Sequence, residues 1–173
     1  TDGATEPSSD YESSLKSLLT QMITVSDNDA ANELARRLGG GDFHKGASVL
    51  NEFCQEHGYT STHLGREFLA SNPTDDNYTS ASDCCRLLSD IYSGTMVNAD
   101  ASADMLALLK AQTRTGKIPS GVPSGVETAN KTGELSAGDG LGIVENDIAI
   151  VFDKEHPYVL CVLSNNIQNN SSA

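Results

Sequence analysis

Along the first half of the chain, apolar residues recur at helical intervals. Leu15, Leu18, Leu19, Met22 and Ile23 follow the i, i+3, i+4, i+7, i+8 stripe that lays one helix face against a core. A second helix is predicted over 26–38, with Ser26 or Asp27 as its cap and Gly39-Gly40-Gly41 as its stop. A third spans about 42–57, with Phe43, Ala47, Leu50, Phe53 and Cys54 inward and Gly58 closing it. Residues 59–78 then lose all periodicity and fill with Thr, Ser, Asn, Asp and Pro. An irregular loop of that length inside a compact domain usually serves a function. Helical spacing returns over 80–92 (Cys84, Leu87, Leu88, Ile91) and about 100–112 (Met105, Leu108, Leu109), followed by a Gly/Pro/Ser connector to Gly125.

Beyond Gly125 the pattern changes to strand. Residues 126–131 make a short candidate, and 158–163 form an unbroken β-branched and aliphatic run. Between them Ile143-Val144 and 148–152 read as strand pieces interrupted by Glu145-Asn146-Asp147, and 153–157 reads as a hairpin loop. The expected fold is α+β, with five helices and then three antiparallel strands. Its parts are an irregular end over 1–9, a mostly helical portion over 10–125, a sheet portion over 126–166 and a polar tail over 167–173. Three strands make a small sheet, and its second face needs a cover that these elements do not supply.

Composition narrows the function classes. The chain has 173 residues, 38% hydrophobic and 20% charged, which is globular rather than disordered. Eleven basic residues against 24 acidic ones give a net charge of −13, which excludes the basic footprint of a nucleic-acid or anionic-membrane binder. No apolar run is long enough to span a bilayer. Cys54, Cys84, Cys85 and Cys161 lack zinc-ligand spacing, and the four histidines are scattered, so no metal or other cofactor is expected. Thr1-Asp2-Gly3 shows neither an initiator Met nor a leader pattern and reads as a cut end.

Two tripeptides carry the candidate chemistry. Ser26-Asp27-Asn28 opens a helix, and Lys131-Thr132-Gly133 is expected at the end of a strand, 105 residues further on. Read singly, the first is a helix cap and the second a polar strand end. In this order and at this spacing they resemble two of the three signature motifs of penicillin-recognising serine enzymes, the class A β-lactamases and penicillin-binding proteins. Residues 22–40 (MITVSDNDAANELARRLGG) and 117–134 (KIPSGVPSGVETANKTGE) resemble that family's surrounding segments, and 76–81 resembles the exit from its Ω-loop. The resemblance covers about 10–166 and implies a β-lactamase/transpeptidase-like fold.

It also implies roles in acyl transfer. Ser26 would relay a proton between base and leaving nitrogen, with Lys131 beside it. Asn28 would hydrogen-bond the substrate's amide side chain. Lys131 would supply positive potential for a substrate carboxylate, Thr132 would donate to it, and Gly133 would keep the strand edge clear. The implied substrate is a β-lactam or D-alanyl peptide, outside the cell or in its envelope.

Three departures qualify this reading. The family's S-x-x-K nucleophile lies several tens of residues before S-D-N on another helix. The one match here, Ser13-Ser14-Leu15-Lys16, falls on the helix leading into Ser26, off its apolar stripe. In the Ω-like loop, Phe68 aligns where class A enzymes place the deacylating glutamate; a one-residue slip would restore Glu67, and Asn72 falls at the family's water-holding asparagine. After Leu163 there is only an Asn/Ser tail where the family has a terminal helix. The expectation is a partial chain, inactive alone. The alternatives are a non-enzymatic binding domain, or a fragment that pairs with a complementary chain or with itself.

Overall fold

The computed structural model describes residues 9–72, 74–135 and 143–167. Helix α1 (Ser9–Thr24) leads into α2 (Asn28–Leu38), whose cap is Asp27; its side chain accepts from the Ala30 N–H at 2.8 Å. Asp42 caps α3 (Phe43–Glu56) in the same way, and Gly58 follows it at φ +78°. That left-handed turn lets the Tyr59 N–H reach back to the Cys54 carbonyl at 2.7 Å. Ser80 caps α4 (Ala81–Tyr92) and Asn98 caps α5 (Ala99–Lys110). The expected connector contains one further turn of helix, α6 (Ile118–Gly121), with Pro119 in its first turn where no N–H is needed.

Strands β1 (Glu127–Leu135), β2 (Val144–Phe152) and β3 (Tyr158–Val162) form an antiparallel sheet in the order β1-β2-β3. Two expectations are corrected here. β2 runs without a break through Glu145-Asn146-Asp147, because these polar residues pair with Glu134, Gly133 and Thr132 of β1. β1 likewise continues four residues past Lys131, which therefore sits in mid-strand and not at its end. The expected tail over 167–173 lies outside the described residues except for Ile167, which bridges to Ile143. The expected end over 1–9 is likewise outside them except for Ser9, the first residue of α1.

One sheet face carries Ala129, Ile148, Ile150, Phe152, Val159 and Cys161 against α4 and α5, where Leu88, Ile91 and Leu109 complete the core. A second cluster, Ala35, Phe43, Ala47 and Leu64, joins α2 and α3 to the loop after them. Gly46 allows that contact, since a Cβ there would lie 1.7 Å from the Ala35 carbonyl oxygen. α1 differs from every other long helix: its apolar stripe is only half-buried, and none of its residues is fully covered. Leu15, Leu19 and Met22 of α1 and Leu34 and Leu38 of α2 instead line an open groove of about 1500 Å³.

Candidate active site

The α1–α2 corner is tight. The Val25 and Asp27 N–H groups both donate to the Gln21 carbonyl, at 3.3 and 3.2 Å, which forces the residue between them, Ser26, to φ +62°. A left-handed conformation costs a non-glycine residue on the order of 1–2 kcal/mol. The sequence places a serine where glycine would be easier, which points to a use for the hydroxyl. Lys131 supplies one: its Nζ donates to Ser26 Oγ at 2.8 Å. The same ammonium donates to the Thr132 carbonyl. Burial holds the Lys131 pKa below the ordinary lysine value, Arg114 pushes the same way, and Glu134 and Asp147 oppose both.

The other candidate residues fall in distinct places. Asn28, first in α2, and Gly133 both line the groove. A Cβ at Gly133 would meet only Asn146, at 3.6 Å, so internal packing does not demand glycine; a side chain would project beside the groove. Thr132 is 5% exposed and lies on the opposite strand face, with Asn130 and Glu134. Ser13 and Lys16 are exposed on α1.

The Ω-like loop is cinched at its neck. His63 and Tyr78 pair across it, the Gly65 and Arg66 N–H groups donate to Asn77 Oδ1, and Arg66 meets Asp76 at 2.6 Å. Buried Asn32 holds the loop's far side by accepting from the Phe68 N–H at 2.8 Å and donating to the Phe68 carbonyl at 3.2 Å. Glu67 turns away to pair with Arg36 at 2.6 Å. Asn72 accepts from the Thr74 N–H and hydroxyl, a local turn.

Sequence reasoning passed over the charges around β1. Glu134 and Glu145 stand directly opposite each other across the strands, and like charges there repel. Lys117 bridges them at 3.2 and 2.6 Å, while Arg114 meets Glu134 at 3.1 Å and also donates to the Val25 carbonyl. Behind them Asp147 accepts from Asn130 and from the Ile118 N–H, fixing α6 to the sheet. Arg114 and Lys117, whose charges act on Lys131, hold carboxylates, whereas Lys131 holds a hydroxyl and a carbonyl. Asn32 had one legible signal: a polar residue among the inward alanines of α2.

Comparison with known proteins fits this arrangement. A family model described as beta-lactamase enzyme family matches residues 3–173. Beta-lactamase 3 of Bacillus cereus is 32% identical over 167 residues, 93% of this chain and 49% of that protein. The solved structure of TLA-3 extended-spectrum beta-lactamase superposes with a TM-score of 0.78 at 20% identity, over 91% of this chain and 57% of the other. A class A beta-lactamase from Bacteroides cellulosilyticus gives 0.77 at 21%, with the same coverage. A variant of the last common ancestor of Gram-negative class A beta-lactamases gives 0.73 at 27%, over 90% and 57%. The chain thus spans about half the length of the relatives it matches, and with its signature tripeptides brought together at one corner it belongs to the beta-lactamase enzyme family.

Proposed function

We propose that this chain supplies one wall of a β-lactam-recognising serine acyl-transfer site, of β-lactamase or D-alanyl-peptidase type, working outside the cell or in its envelope. The observation that carries the reading is the 2.8 Å contact between Lys131 Nζ and Ser26 Oγ, made across 105 residues to a serine held at φ +62°. When a serine nucleophile attacks the substrate carbonyl and the amide bond breaks, the leaving nitrogen needs a proton. Ser26 Oγ delivers it, and Lys131 orients that hydroxyl and replenishes the proton. Asn28 orients the substrate's amide side chain, and Gly133 leaves room for its backbone along β1.

The nucleophile is assigned to a complementary segment seated in the apolar groove beside Asn28 and Gly133. Ser13 is a poor substitute, exposed on the outer side of α1. Deacylation is slow in this reading, because Asn32 clamps Phe68 and Glu67 is engaged by Arg36. A second reading, a binding domain without catalysis, draws on the pairing of Arg114 and Lys117 with Glu134 and Glu145, which weakens the positive potential offered to a carboxylate.

The test is acylation by a fluorescent penicillin in a form of the protein that carries the complementary segment. Ser26→Ala and Lys131→Ala should each slow labelling by roughly 10²-fold or more. Labelling at the unmodified rate in both variants would refute the assigned roles. No labelling of the parent would favour the binding domain.

A further inference from the structure

Two cations of the connector between α5 and α6 grip a single carboxylate on β1. Arg114 Nη1 donates to Glu134 Oε2 at 3.1 Å, and Lys117 Nζ lies 3.2 Å from Glu134 Oε1. Each oxygen of Glu134 thus takes one charged donor. The pair is anchored beside the Ser26 corner, because Arg114 Nη2 also donates to the Val25 carbonyl at 3.3 Å. Internal packing does not ask for this carboxylate. The Glu134 side chain is 42% exposed and belongs to neither apolar cluster. It also stands opposite Glu145, a like-charge pair that costs stability and that Lys117 has to bridge. Yet Glu134 follows Gly133 along the wall of the groove. A carboxylate held there through both oxygens is bound as a ligand carboxylate would be.

We propose that Glu134 is a specificity-determining residue: it occupies Arg114 and Lys117 as an internal carboxylate, so a ligand carboxylate enters this corner only by displacing it. An anionic ligand must break two charge-assisted contacts before it makes its own, and it meets the Glu134 charge while doing so. A ligand that is neutral at that position meets neither cost. This role presupposes the reading of the corner as a ligand site. It adds a preference within the proposed substrate class, toward acyl groups without a free carboxylate beside Gly133. Binding of a simple carboxylate needs no nucleophile and no acylation, so the outcome is separate from that of the labelling experiment above.

The test is titration of the intact chain with sodium benzoate and, separately, with benzamide, read by NMR at the Ser26 and Gly133 amides. In Glu134→Gln, benzoate should bind roughly tenfold tighter than in the parent at low salt, while benzamide binding stays unchanged. The gain should shrink at high ionic strength. Glu134→Ala should reproduce it, and both variants should keep the parent's far-ultraviolet circular dichroism, since exposed ion pairs contribute little to folding. Glu127→Gln removes the same charge from the start of the same strand, where Glu127 pairs with Lys110 at 2.8 Å. It should leave benzoate binding at the parent level. Adding Arg114→Gln to Glu134→Gln should abolish the gain. No gain in either Glu134 variant, an equal gain in Glu127→Gln, or an equal gain for benzamide would each overturn the proposal.

Discussion

Two stretches of one sheet face are closed to different standards. At one end of that face, α4 and α5 seal Leu88 and Ile150 to 1% exposure, with Ala129 packed against them. Further along the same sheet face, beside Gly133, Leu135 and Val144, α1 and α2 present leucines of similar size at similar helical spacing, yet Leu15, Leu19 and Met22 are only half-covered and face a groove. Amphipathic pattern alone does not say whether a stripe is buried by its own chain. Ser26 and Lys131 meet two residues in sequence from Asn28 and Gly133, which line that groove.

The largest test of this contrast is a pair of truncations compared by urea unfolding. Leu88→Ala should lose about 3–4 kcal/mol, transfer and cavity terms together. Leu19→Ala on the groove wall should lose only about 1 kcal/mol or less, since it removes little buried area. Equal losses would mean that the groove wall is closed in solution. Next in size is Asn32→Ala, which strips Phe68 of both backbone partners. A cost of about 2 kcal/mol is expected, with faster hydrogen exchange at the Phe68 amide than at Tyr78 in the loop's neck.

Smaller and opposite in sign is Ser26→Gly. Relief of the positive φ should stabilise the chain by about 1 kcal/mol, read as a raised urea midpoint, while removing the hydroxyl that Lys131 holds. A loss of stability would show that the corner is not strained. The smallest effect is a pH trend. Burial lowers the Lys131 pKa below 10.5, so the unfolded chain binds the extra proton as pH rises toward that value. This single group therefore costs stability at neutral pH, and the cost fades as pH climbs through its folded pKa toward 10.5. The gap between Lys131→Met and the parent should narrow over that range if Met is the more stable. A gap independent of pH would place the ammonium in solvent.

The helices were legible because caps and apolar spacing agree locally: Asp27, Asp42, Ser80 and Asn98 each bond the backbone ahead of them. β2 was harder to read. Glu145-Asn146-Asp147 looks like a loop until Lys117, Ser164 and Asn130 are seen to satisfy its side chains, and those partners lie far off in sequence. The tripeptides pointed to Ser26 and Lys131 through order and spacing. The Glu134–Lys117–Glu145 bridge could not be read, since it exists only once β1 and β2 are in register.

Under the proposed function, this chain prepares a site that a segment seated in the groove completes. Incubating the chain by itself with fluorescent penicillin, followed by denaturing electrophoresis, tests that claim most directly. The prediction is no covalent label on any serine, at concentrations and times that label penicillin-binding enzymes fully. Stoichiometric labelling, at Ser13, Ser26 or elsewhere, would show that the chain already holds its own nucleophile and would contradict the claim.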